Sequence, residues 1–339
     1  MNNQSILIVG TGAMATLFAS RLTSAGVAVS MLGTWPEALT ALRENGARLI
    51  DADGREQKFS IHATDDPREV SGAKFALVLV KSWQTERAAQ QLTQCLADDG
   101  MAITIQNGIG NKEILEKYLN QPSNVTLSES EGSPFKKSEI LRRTRRLRLA
   151  AQNDVNTRVA LGTTTTGATL LGPGLVKAGG EGKTSIEAHP ALGPVEEALK
   201  SAKFNVEIVS DTKSLVWGKL VINSAINPLT ALLQIPNGEL LNRPTARALM
   251  RALAEETASI AKAEKVKLPF ENPGDAAEDV AQRTAANQSS MLQDVLRGAP
   301  TEINAICGAV VRTGKKHKIA APVNNACWQL IRAMTQLHS

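Results

Sequence analysis

In the stretch WGKLVINSAINPL, residues 217–229, an ammonium and two carboxamides recur four residues apart, at Lys219, Asn223 and Asn227, inside an otherwise apolar run. Each step of four along a helix turns through about 400°, so the three side chains drift by only ~80° and share one stripe. Such a stripe suits a substrate whose carbonyl oxygen gains negative charge as it reacts. When hydride reaches a keto carbon, that oxygen becomes a developing alkoxide; a lysine can stabilise it and supply the proton while asparagines orient the substrate. Pro228 follows Asn227 directly. It lacks an N–H and crowds the preceding turn, so the helix is expected to kink or unwind locally there. From spacing alone, an ordinary helix with an exposed polar edge explains the pattern about as well.

A second chemical pattern opens the chain. GTGAMA, running Gly10, Thr11, Gly12, Ala13, Met14, Ala15, has the GxGxxA form of a dinucleotide-binding turn. The first glycine permits the tight turn, the second lets backbone approach a pyrophosphate, and the small Ala15 allows close packing of helix on strand. The helix then presents its free N–H groups and the positive end of its dipole to the phosphates. Where an NAD site carries an acidic residue, at the end of the next strand, the chain reads Leu32, Gly33, Thr34. No carboxylate stands there to repel a 2′-phosphate and no arginine to bind one, which leaves NAD and NADP both open.

These residues must be positioned by two kinds of element. Ile6 to Val9 is an apolar run of strand length ahead of the glycine turn; Leu17, Phe18 and Leu22 then recur at helical spacing up to Gly26, and Val27 to Leu32 reads as a second strand. Phe75 to Val80 and Met101 to Ile105 are further strands, with a helical stretch from Glu86 to Leu96. Continuous apolar strands alternating with helices indicate a parallel sheet covered on both faces. From about Asp211 the pattern changes to long helices, clearest over Ala246 to Glu264 and Val323 to Leu337. The expected fold is α/β: a Rossmann-like, mostly parallel sheet domain over residues 1–210, then an all-helical substrate and catalytic domain over 211–339.

Residues 128–157 interrupt this plan with a polar, arginine-rich insert. Between Ser128 and Ala150 stand seven basic and three acidic residues, which supplies +4 of the net +5 carried by the 339 residues. The rest is nearly neutral, so nucleic acid is not the expected partner, and aromatic residues for base stacking are scarce at 3%. A solvated surface excursion is the plain reading of the insert. Cys95, Cys307 and Cys327 are odd in number and lack CxxC spacing, and the histidines form no pair at ligand spacing, so buried reduced thiols and no metal are expected. No apolar run approaches a membrane span and the first residues lack a signal-peptide pattern, so a cytoplasmic protein is expected.

The stretch NQSSMLQDVLRGAPTEINAICG, residues 287–308, is a second polar cluster. Helix punctuation accounts for much of it: the serines can cap a helix over Met291 to Arg297, Gly298 can end it, and Thr301 can start the next. Punctuation gives no role to Glu302.

Taken together, the GxGxxA turn, VKSWQ at 80–84, IQNGIG at 105–110, GTTTTGA at 162–168, KLVINSAINPLTAL at 219–232, PNGEL at 236–240 and SSMLQDVLRGAPTEI at 289–303 resemble the ketopantoate reductase (2-dehydropantoate 2-reductase) family, in its order over nearly the whole chain. The resemblance implies NADPH-dependent reduction of ketopantoate to pantoate for pantothenate and coenzyme A synthesis, with Lys219 as general acid. It implies that Asn223, Asn227, Asn237, Asn287 and Ser290 contact the substrate. Glu302 would lie by the nicotinamide and the reacting hydroxyl, Asn107 near the nicotinamide ribose, Ala168 beside the cofactor and Lys81 near the adenosine phosphate. The family commonly has an arginine where this chain has Gly33 or Thr34, so one grip on the 2′-phosphate is missing, and the insert has no place in the family pattern. A reductase of another branched 2-keto acid is the alternative, and a nucleotide sensor using the basic insert is a remoter one. A monomer or homodimer with a small-molecule 2-keto acid as its partner, without membrane or nucleic acid, completes the expectation.

Overall fold

A computed structural model describes residues 5–120 and 157–336; all of the basic insert but its last residue lies outside the described residues. By its internal contacts the chain divides into two compact units. The first comprises Met1–Val80, Gln84–Ile105 and Lys112–Ile208; the second comprises Lys81–Trp83, Gln106–Asn111 and Val209–Ser339.

The first unit is built on an eight-stranded sheet. Within it β1 (Ile6–Val9) is flanked in parallel by β2 (Val29–Leu32) and by β6 (Ala73–Val78). On one side β5 (His62–Thr64) extends the sheet in parallel beyond β2. On the other side β7 (Leu96–Thr104) and β8 (Val159–Thr164) continue it in parallel, and β11 (Lys183–Glu187) joins antiparallel, with β12 (Asn205–Val209) at the edge. The mostly parallel order is the one the apolar strands predict.

Side chains alternate across this sheet with period two, and both faces are buried. Ile6, Ile8, Phe75, Leu77 and Ile103 enter one core, together with Phe18 and Leu22 of α1 (Ala13–Ser24) and Val195 and Leu199 of the helix Gly193–Ser201. Leu7, Val9, Ala76, Val78 and Ala102 enter the other, against Leu92 of α3 (Thr85–Cys95) and Leu115 and Leu119 of α4 (Asn111–Leu119). The label α2 belongs to Pro36–Asn45.

A second, four-stranded sheet was not expected from the sequence. It runs β4 (Glu56–Phe59), β3 (Ala47–Ile50), β10 (Leu175–Ala178), β9 (Ala168–Gly172), with α1 packed on it through Leu17, Leu49 and Val176.

The second unit is helical. With Gly193–Ser201 as α5, its central helix is α6 (Thr212–Leu233), capped by the Asp211 carboxylate accepting from the Ser214 N–H at 3.0 Å. Most of α6 is buried, as a helix that is apolar nearly all round must be. Around it pack α7 (Pro244–Ala263), α8 (Pro273–Arg283), α9 (Ser290–Leu296) and α11 (Pro322–Gln336), with α10 (Cys307–Lys316) against α11. The shared core includes Trp217, Val221, Met250, Leu253, Ile306 and Ile331. Among the described residues no helix is long and apolar enough to cross a membrane.

Local unwinding at Pro228 does not occur. α6 continues through it, because the surrounding helices bury both sides and the Ser224 carbonyl, which loses its N–H partner to the proline ring, takes the Cys307 thiol at 4.0 Å. Ser224 also bonds Thr257 through its hydroxyl at 2.8 Å.

Candidate active site

The glycine turn sits where β1 meets α1. Gly10 has φ +128°, and a Cβ there would stand 3.2 Å from the backbone of Leu79 and Val80, so only glycine fits this turn. Gly12 is the N-cap of α1, with open space where a Cβ would be, no side-chain cap and no acidic residue in the first turn. The first N–H groups of α1 therefore lack a side-chain acceptor from the cap residue, and backbone can be approached closely. That is what a pyrophosphate requires, so the turn fits a dinucleotide. Thr11 and Ala15 are buried, Ala13 and Met14 partly exposed. Ala168 also belongs to the first unit, at the start of β9 and paired with Ala178.

The other expected residues fall in the second unit. Glu302 is its hub: a carboxylate only 5% exposed, whose Oε1 accepts the Ser82 backbone N–H at 2.9 Å and whose Oε2 accepts from Asn107 Nδ2 at 3.0 Å. Lys81 Nζ lies 3.8 Å from the same Oε2. Segment 106–111 is seated on the chain that follows Glu302. The Ile109 N–H donates to the Ala305 carbonyl at 3.3 Å, and Gly108, at φ +81°, leaves no room for a Cβ, which would stand 2.4 Å from that oxygen. Asn111 Nδ2 fixes the Asn107 carbonyl at 3.0 Å.

Lys219 feels Glu302 electrostatically. Burial pushes its ammonium down from the ordinary 10.5 to about 8, against the opposing pull of the Glu302 charge. Along the same stripe Asn223 is half-buried and Asn227 buried. Asn237 donates from Nδ2 to Thr284 Oγ1 at 2.8 Å, and its backbone N–H meets the Asn287 carbonyl at 3.0 Å. Its Oδ1 is buried with no hydrogen-bond partner among the described residues.

One feature escaped the sequence. Asp294, nearly fully buried, holds Lys81 Nζ at 2.6 Å and Arg297 at 2.9 Å; burial raises its carboxyl while Lys81 pulls the other way. Lys81, expected near the adenosine phosphate, is thus engaged by Asp294. Of the serines expected to cap the helix, Ser289 is the buried one and does so: its hydroxyl accepts the Leu292 N–H at 3.1 Å as N-cap of α9 and meets Thr230 of α6 at 2.7 Å. Ser290 and Asn287 are exposed. Thr301 starts no helix, since α10 begins only at Cys307. Asp294 stands inside the SSMLQDVLRGAPTEI stretch, but a lysine in one segment and an aspartate in another give no local pattern, so nothing in the sequence pairs it with Lys81.

The family model described as ketopantoate reductase PanE/ApbA matches residues 6–191, and its C-terminal counterpart matches residues 211–335. The chain belongs to the ketopantoate reductase family. It is accordingly an oxidoreductase. The 2-dehydropantoate 2-reductase of Halobacterium salinarum is 31% identical over 333 residues, covering 96% of this chain and 97% of that one. The ketopantoate reductase family structure from Ralstonia eutropha JMP134 is 27% identical with TM-score 0.82, covering 98% and 99%. A D-mandelate dehydrogenase solved with NADH and anilino(oxo)acetate, 23% identical with TM-score 0.83 and the same coverage, shares the fold.

Proposed function

We propose that this ketopantoate reductase family member reduces 2-dehydropantoate to pantoate. Family membership makes the cofactor a nicotinamide dinucleotide, and NADPH is our specific reading of it. The observation that carries the mechanism is Lys219: a lysine in the polar stripe of α6, brought down to about 8, within the field of a buried carboxylate. At neutral pH such a group is still mostly protonated, yet it is a stronger acid than an ordinary lysine and so better matched to giving up a proton.

When bound, the cofactor supplies the hydride. The Gly10 to Ala15 turn would hold its pyrophosphate, with Ala168, Asn107 and Glu302 toward the nicotinamide end. Lys219 stabilises the negative charge gathering on the keto oxygen and passes its proton to that oxygen. Asn223 and Asn227, on the same helix face, orient the 2-keto acid, and the Asn237 Oδ1 offers an acceptor for a substrate hydroxyl. Asn287 and Ser290 are the remaining proposed substrate contacts. Glu302 keeps Lys219 charged between turnovers, because its negative charge opposes deprotonation.

The absence of a carboxylate at Leu32 to Thr34 supports a 2′-phosphate being tolerated. The test is purified protein with ketopantoate, given NADPH and NADH side by side, and a panel of branched 2-keto acids ranked by kcat/KM. Ketopantoate leading the panel supports the assignment; another keto acid leading it by tenfold or more replaces the substrate.

A further inference from the structure

We propose that Thr11 and Gly33 form one coupled specificity element, in which Thr11 holds position 33 to glycine and thereby keeps any cationic side chain at that position off the 2′-phosphate of a dinucleotide. The proposal rests on the nicotinamide reading above and deepens it. In a Rossmann unit the residue just past the second strand reads the adenosine ribose. Here β2 ends at Leu32 and Gly33 follows.

The backbone does not ask for glycine at this place, since Gly33 is not among the positive-φ residues. The reason is steric. A Cβ on residue 33 would stand 2.5 Å from Thr11 Cγ2 and 3.1 Å from Thr11 Oγ1. Threonine has three staggered γ positions and fills two of them, so a rotation that vacates the 2.5 Å position still leaves a γ atom in the 3.1 Å one, and no rotamer clears both contacts. The backbone is also pinned: the Gly10 N–H donates to the Leu32 carbonyl at 2.8 Å and the Gly33 N–H to the Thr64 carbonyl at 3.0 Å. With alanine at 11 the nearest remaining atom would be its Cβ, at 3.4 Å, an ordinary contact.

The arginines flanking the end of β5 are already engaged. Arg43 pairs with Asp65 at 3.1 Å and Arg68 with Asp66 at 2.6 Å. With no cation on residue 33, the chain lacks one charge-assisted hydrogen bond to a 2′-phosphate, which is about a tenfold share of any preference for NADPH over NADH.

The experiment is a double-mutant cycle over Thr11→Ala and Gly33→Arg, reading NADPH and NADH dissociation constants by calorimetry without keto acid, and thermal unfolding without nucleotide. Gly33→Arg alone should lower Tm and weaken both nucleotides. Adding Thr11→Ala should restore Tm and tighten NADPH roughly tenfold over wild type, leaving NADH unchanged. If Gly33→Arg alone gains NADPH affinity at full Tm, Thr11 gates nothing and the proposal fails. It fails too if wild type prefers NADPH more than a hundredfold, because some other cation then reads the phosphate. Wild type that binds neither nucleotide would remove the cofactor reading itself, and the Tm cycle would still report whether residues 11 and 33 collide. Nucleotide binding without turnover of ketopantoate would instead remove only the substrate.

Discussion

The Lys219 ammonium is the group whose titration should be visible in rates. Reduction needs it protonated, so kcat/KM for keto acid reduction should hold at neutral pH and fall as pH rises through about 8. Oxidation of the hydroxy acid needs the neutral amine and should rise over the same range. Glu302 is a charge that raises the Lys219 pKa, so Glu302→Gln should move both limbs to lower pH; limbs that stay in place would separate Glu302 from Lys219. Lys219→Ala should lose roughly 10²–10⁴ in kcat with unchanged circular dichroism. Stability carries the same signature. The unfolded chain keeps this proton up to 10.5 and the folded one releases it near 8, so the unfolded state binds more protons between those values and stability rises with pH there. Urea unfolding of wild type against Lys219→Met across that window should show the difference.

At the scale of elements, the site depends on short segments held against the chain around α9. Asp294→Ala removes the buried carboxylate that holds Lys81 and Arg297, and should cost about 1–3 kcal/mol in urea unfolding. Gly108→Ala adds both a strained left-handed residue and a collision with Ala305, and should cost about 1–3 kcal/mol. A variant at either place with wild-type stability would show that the segment is held by something else. Local pattern reads well where one element suffices: β1 is Ile6–Val9 as its apolar run predicts, and the amphipathic periodicity of α3 and α7 gives their extents within a residue or two. It gave no strand for β3 and β4, where Arg48, Glu56 and Lys58 break up any apolar run. β4 pairs with β3 in a local hairpin, but β3 is built into a sheet by β10, far away in the chain, and that non-local pairing leaves no mark on a local window. The stripe of Lys219, Asn223 and Asn227 was legible for the opposite reason, since one helix carries all three. The engagement of Lys81 by Asp294 joins distant segments and was not.

For the whole molecule, nucleotide should act as a folding ligand. NADPH at 100 times its dissociation constant should add about 2.7 kcal/mol to stability without any keto acid, read as a rise in Tm. A flat Tm at that concentration would contradict dinucleotide binding. Lys81–Trp83 and Gln106–Asn111 lie within the sheet-forming part of the chain but cluster with the helical unit. A polypeptide cut near residue 210 would keep Lys81 and Asn107 while losing the carboxylate that organises them, and the complementary piece would keep Glu302 with its amide and carboxamide donors missing. Grafting the helical half onto another nucleotide-binding scaffold should therefore work only when those two short stretches travel with it, which makes this a protein of two bodies but a single exchangeable part.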